Sequence, residues 1–235
     1  MSDNESIMQD AIYDEYIQWK VYDEAEKVSA IEQCIYLFVE GESEETAFRI
    51  LLEEGLNIKF DKYGVVIANY NGIGNLKHTI RLMSLTLSHS RPMIFTFDDD
   101  HQSLISSINN LPKHVHLFKV PCKPVVNLNN GRLGGSFEES FDPKDFINAC
   151  FETSLLRRNP QIHKSEFEKV FDVSRPFYAQ IVTFLKSKGL SDYCPSKIEI
   201  AEDMACCCEP EPETYVKLAE LIKKIRTQYP IHVKI

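Results

Sequence analysis

The sequence predicts an α/β fold: a four-stranded, mostly parallel sheet with one N-terminal helix ahead of it and a helical C-terminal part behind it. Three observations predict it. Four short apolar runs rich in strand formers recur in the first half, at 34–39, 64–70, 92–97 and 114–120. Stretches of helical periodicity separate them, and strands alternating with helices give right-handed βαβ units and a parallel sheet. From about residue 143 onward the periodicity is mainly helical. The expected divisions are 1–30 for the N-terminal helix, 31–140 for the sheet core and 141–235 for the helical part.

The elements follow in order. Residues 5–28 carry Met8, Ile12, Tyr16 and Trp19 at spacings of four, four and three, which is one face of a helix. That stripe either packs on its own domain or docks a partner or a second copy, so a homo-oligomer stays open. CIYLFV (34–39) is the first strand. SEETAFRILLEEG (43–55) is helical and ends in glycine, a helix stop signal. GVVIANY (64–70) is the second strand, and residues 76–87 are helical. PMIFTF (92–97) is a buried strand with proline at its first position, where proline is tolerated. A short helix near 103–110 leads to HVHLFKV (114–120), the fourth strand. Residues 121–136 read as a loop. Helices follow over about 143–156, 175–188, 196–207 and 212–227, and a last strand over 231–235 is expected.

Composition narrows the class. The chain has 235 residues, 43% of them hydrophobic and 26% charged, which is ordinary for a soluble globular protein and excludes a disordered or collagen-like one. A chain this long buries about 70% of its unfolded surface and needs no disulfide or zinc staple. No apolar run is long enough to span a membrane. The acidic start lacks the basic and apolar regions of a secretory signal, and seven cysteines with Cys206, Cys207 and Cys208 adjacent fit neither a disulfide framework nor a zinc ribbon. Reduced thiols in a cytoplasmic protein are expected. The net charge of −9 is uneven: residues 1–112 carry 8 Lys and Arg against 19 Asp and Glu, and residues 113–235 carry 18 against 16. A plain nucleic-acid binder shows a basic excess, which is missing here. Carboxylates that hold divalent cations account for part of the acidity of the first half.

Three acidic motifs stand at strand ends or loop ends. In VEGESEE (39–45) Glu40 ends the first strand, Gly41 allows a tight turn, and Glu44 lies at the start of the next helix. Glu44 and Glu45 also complement the positive end of that helix, which does not explain an acid at the tip of an apolar strand. In FDDDHQ (97–102) three aspartates follow a strand directly. They repel one another unless a cation or basic group sits among them. Asp98 and Asp100 face together in an extended segment, and Asp99 faces away. In SFEESFD (136–142), Glu138 and Glu139 offer further carboxylates, and Ser136 with Glu139 has capping-box spacing.

Strand, Glu-Gly, helix, then strand, helix, strand and DxD resembles the TOPRIM domain of topoisomerases, bacterial primases, ribosomal-RNA maturases and the OLD (overcoming lysogenization defect) nucleases. VEGESEE is most similar to the OLD version, with its second glutamate four residues after the first. SFEE resembles the later acidic motif of that family, and SKIEIA (196–201) its lysine ahead of an alanine-containing helix. The resemblance covers about 34–205. It implies a four-stranded Rossmann-like TOPRIM sheet, metal ligands Glu40, Glu44, Asp98, Asp100 and Glu138, and Lys197 as catalytic lysine beside Glu40, with Lys186 and Lys188 as alternatives. It implies two Mg2+ or Mn2+ ions and a nucleic acid substrate, DNA or RNA, for a nuclease of a defence or repair system. A structured-RNA maturase and a non-catalytic regulatory subunit are the alternatives. OLD nucleases usually carry an ATPase domain ahead of the TOPRIM domain. Only about thirty residues precede it here, and no GxxxxGK[ST] occurs, so ATP control implies a separate ATPase subunit.

Gly72-Ile73-Gly74 lacks the third glycine of a dinucleotide fingerprint. His114 and His116 alternate on one strand and read as structural. His101 stands beside the aspartates. Lys119, Lys123, Arg132, Arg157 and Arg158 are available for phosphate contacts.

Overall fold

The computed structural model describes residues 3–26, 34–87, 91–98, 105, 108, 111–126, 131, 133–159, 161–209 and 211–231. Helix α1 (Asp3–Glu26) comes first, then strand β1 (Ile35–Val39) and helix α2 (Glu42–Ile50), which continues into a π-helical turn over Leu51–Gly55. Helix α3 (Phe60–Tyr63), β2 (Val65–Asn69), α4 (Leu76–Thr86), β3 (Met93–Phe97) and β4 (Val115–Lys119) complete the first half. The order β2-β1-β3-β4 is parallel throughout. β1 and β3 lie side by side in the middle, with Phe38 opposite Phe95 and their rings stacked at 4.6 Å.

Alternation along β1 supplies two cores. Ile35, Leu37 and Val39 pack with Ala47 and Phe48 of α2 and with the C-terminal helices. Tyr36 and Phe38 point the other way, toward Ile17 and Val21 of α1 and Ile80 and Met83 of α4. Each fully buried side chain of this kind contributes about 1.5–3 kcal/mol. The first crossover therefore lies on one face of the sheet and the second on the other. The strand order reverses between β1 and β3, and the crevice outside their carboxyl ends is where open α/β sheets take ligands.

The second half holds a two-residue antiparallel ladder, β5 (Val125–Val126) with β6 (Leu133–Gly134), inside the segment expected to be a loop. Helices α5 (Pro143–Glu152), α6 (Lys164–Val170), α7 (Phe177–Ser187), α8 (Lys197–Cys207) and α9 (Glu213–Gln228) follow. Helix α6 was missed in the sequence because KSEFEKV buries a single side chain, Phe167, and shows no apolar periodicity. Most of the expected 103–110 helix, and residues 232–235 of the expected last strand, lie outside the described residues; Ile231 is not in a strand.

The face of α1 differs from the expected one. Ile17 and Val21 are buried and Tyr13 is half-buried, whereas Ile12 and Trp19 are 62% and 63% exposed. Tyr16 is exposed with them, and the Met8 side chain lies outside the described residues. Tyr13, Ile17 and Val21 repeat every four residues, a helical spacing as good as that of the expected stripe. What selects them is a bond: the Tyr13 hydroxyl donates to the Tyr70 carbonyl at 2.8 Å and pairs with Thr79 Oγ1 at 2.9 Å. Among the described residues no helix is long and apolar enough to cross a membrane.

Candidate metal centre

The site is built from four places in the chain. Glu40 follows β1 directly, and its backbone is fixed by the turn after β2. The Gly72 N–H donates to the Glu40 carbonyl at 2.8 Å, and the Ile73 N–H donates to Glu40 Oε1 at 3.2 Å. That turn needs positive φ at two successive residues, 55° at Asn71 and 95° at Gly72, which asparagine and glycine supply at least cost. The Asn-Gly pair is therefore a turn that captures Glu40, and it has no part in a dinucleotide fingerprint.

Glu44 lies in the first turn of α2 and is 6% exposed. The Gly41 N–H donates to Glu44 Oε2 at 2.7 Å. A Cβ on Gly41 would stand 3.1 Å from that oxygen, close enough to press on the carboxylate. Burial, then the charges of Glu40 and Glu138, push the Glu44 carboxyl up to about 8, against the pull of the Gly41 hydrogen bond.

Asp98 follows β3 and is 8% exposed. Its Oδ2 accepts from the Phe137 N–H at 3.1 Å. Glu40, Glu44 and Asp98 each bring a carboxylate oxygen to within 4.8 Å of the others. They are the one such group of three His, Cys, Asp or Glu residues among the described residues.

Glu138 arrives on the 3₁₀ turn Phe137–Ser140 and is 4% exposed. Ser136 Oγ donates to its Oε2 at 2.7 Å, and Lys197 Nζ lies 2.8 Å from its Oε1. Lys197 is the first residue of α8, a helix capped by Ser196, which accepts from the Ile198 N–H at 3.2 Å. Its ammonium also lies over the Tyr178 ring at 4.7 Å. Burial works against its charge, but Glu138, with smaller contributions from Glu44 and Asp98, outweighs it and raises the ammonium above the ordinary lysine value.

Glu40, Glu44, Asp98, Glu138 and Lys197 all line one cleft of about 260 Å³, with Ser43, Asn71, Gly72 and Ser136. The expected alternates do not reach it. Lys188 pairs with Glu166 and Lys186 points to solvent. Glu139 is structural: its carboxylate accepts from the Ser136 N–H at 2.6 Å and from the Phe177 N–H at 2.6 Å, tying the 3₁₀ turn to the start of α7. Asp99, Asp100, His101 and Arg132 lie outside the described residues. Arg157 and Lys123 engage Glu152 and Asp142 and do not line the cleft. His116 sits on β4 and His114 in the turn just before it, away from the cleft lining. Among the described residues no cysteine is in a disulfide, and Cys206 and Cys207 are exposed and Cys208 buried.

Residues 35–100 match the family model described as the overcoming lysogenization defect protein-like TOPRIM domain. This segment resembles the TOPRIM domain of OLD proteins. The C-terminal region of the OLD protein of Xanthomonas campestris pv. campestris is similar over 84% of this chain and 96% of its own, at 15% identity and a TM-score of 0.51. The corresponding region from Burkholderia pseudomallei aligns over 80% and 96%, at 17% identity and a TM-score of 0.44. At such identities the likeness speaks for the fold alone. No curated protein matches the chain in sequence.

TOPRIM domains bind divalent metals, and the donor set here fits that use. The three clustered side chains offer only oxygens, the preference of Mg2+ and Mn2+, and no sulfur or imidazole that would favour a softer ion.

Proposed function

We propose that the chain is a divalent-metal-dependent nuclease that hydrolyses phosphodiester bonds in DNA or RNA. The observation that carries this reading is the convergence of Glu40, Glu44 and Asp98 at the point where the strand order reverses. Glu40, Glu44, Asp98 and Glu138, with Asp100, would hold Mg2+ or Mn2+. Bound there, such ions supply an activated water and neutralise charge on the scissile phosphate. Glu40 and Asp98 are held by backbone N–H groups, so they need little rearrangement on loading. Lys197 keeps its positive charge at neutral pH through Glu138, and a fixed ammonium at the cleft wall stabilises charge that grows on phosphoryl oxygens. Control by ATP would come from a separate ATPase subunit in a defence or repair system.

The test is cleavage of plasmid DNA, transfer RNA and ribosomal RNA by the purified chain, with and without manganese. Manganese-dependent cutting that disappears in Asp98→Ala and in Glu40→Ala, with both variants folded, supports the reading. Trimming confined to a ribosomal-RNA precursor would point to a maturase. No cleavage of any substrate by the wild type, alone or with an ATPase partner, would leave a regulatory subunit.

A further inference from the structure

We infer that Lys20 is a positioning residue for the acidic centre: through Glu45 and Asn69 it ties the N-terminal helix to both segments that carry Glu40 and Glu44. This rests on the metal-site reading above.

The contacts are short and shielded. Lys20 Nζ lies 2.7 Å from Glu45 Oε2, and Asn69 Nδ2 donates to the same oxygen at 2.6 Å. The Lys20 and Glu45 side chains are only 18% and 16% exposed, and Asn69 is 2% exposed. One carboxylate oxygen thus joins three elements: α1, α2 and the end of β2. Glu45 is the residue after Glu44, so whatever fixes Glu45 fixes the first turn of α2. Asn69 pairs in register with Val39, the residue before Glu40, and three residues on the chain makes the turn that holds Glu40.

A second grip lies about two helical turns earlier on the same helix. The Tyr13 hydroxyl donates to the carbonyl of Tyr70, the residue that follows Asn69. Helix α1 therefore holds the β2 exit directly at Tyr70 and, through Glu45, at Asn69, and the α2 entry at Glu45. Lys20 touches no ligand itself and acts through the segments that carry Glu40 and Glu44; loss of groups that orient metal ligands costs about 10-fold or more in metal affinity.

A purely structural role makes a different forecast, and paired variants separate the two. Lys20→Met leaves Glu45 shielded without its cation, which destabilises any such pair. Lys20→Met/Glu45→Gln removes the lone charge and keeps an acceptor for Asn69, so stability returns. Measured on the full chain, amide hydrogen exchange at residues 41–45 and 70–73 should quicken in both variants, with β1 and β3 protection unchanged. Affinity for Mn2+ alone should fall about 10-fold in both, although the melting temperature recovers in the double variant. Unchanged exchange at these amides overturns the inference. So does recovery of Mn2+ affinity together with stability in the double variant, which would make the pair a stabilising contact only. If the wild-type chain itself binds no Mn2+, the metal-site reading fails and the inference falls with it, whatever the exchange pattern.

Discussion

Lys197 and Glu138 face each other at 2.8 Å inside a cleft that also holds three other carboxylates. The lysine competes there with any cation that would use Glu138. Lys197→Ala should therefore lower the cleavage rate by about 10² or more without weakening Mn2+ binding; turnover titrations and Mn2+ titrations of the same preparation check this. Wild-type turnover would remove Lys197 from the mechanism, and among the described residues no second lysine lines the cleft to replace it. Glu40 and Asp98 were legible in the sequence because an apolar strand that ends in an acid has few structural explanations. Glu44 was legible through its spacing and the glycine before it. The Lys20–Glu45 contact was not, since nothing local marks two residues 25 apart as partners. Asn71 and Gly72 carried a turn signal, but its purpose, to hold Glu40, depends on where β2 ends relative to β1.

At the scale of elements, strands declared themselves and helix faces did not. A buried parallel strand is apolar on both sides, so its sequence is conspicuous. Helix α1 carries aromatic and aliphatic residues all round, and two stripes of the same period compete. Tertiary bonds from Tyr13 and Lys20 choose between them. The observed choice has a measurable result. Ile17→Ala should cost about 2–5 kcal/mol by urea unfolding, and Trp19→Ala should stay within about 0.5 kcal/mol. The reverse ranking would mean that α1 packs by the Ile12–Trp19 stripe. The ladder of β5 and β6 escaped detection for a simpler reason: two residues are too few to show alternation.

For the molecule as a whole, the acidic centre links stability to pH. Folding raises Glu44 from 4.5 to about 8. Between those values the folded protein holds a proton that the unfolded chain has released. Stability of the metal-free protein therefore falls as pH rises through this window and levels off above it. Glu44→Gln should remove that part of the slope. Urea midpoints of both proteins at about pH 5 and about pH 8, in chelator, test it; equal slopes would mean that Glu44 is ionised throughout. The helical half was legible as helices, and its part in completing the site through the family resemblance alone. Glu138 and Lys197 reach the sheet edge only because Glu139 and Ser196 fix the turns that deliver them.

The residues of the centre come from positions 40, 44, 98, 138 and 197, so no short segment can gather them. β1 and β3 must lie side by side, which needs both crossovers closed, and parallel pairing over such separations is slow. The cradle should thus arrive late on the folding path, on the native side of the barrier. An ion that binds it holds back escape and does nothing for arrival. In a kinetic experiment with urea jumps, Mn2+ should lower the unfolding limb and leave the refolding limb superposed on that of the metal-free protein. Faster refolding in Mn2+ would mean that the carboxylates already meet in the transition state.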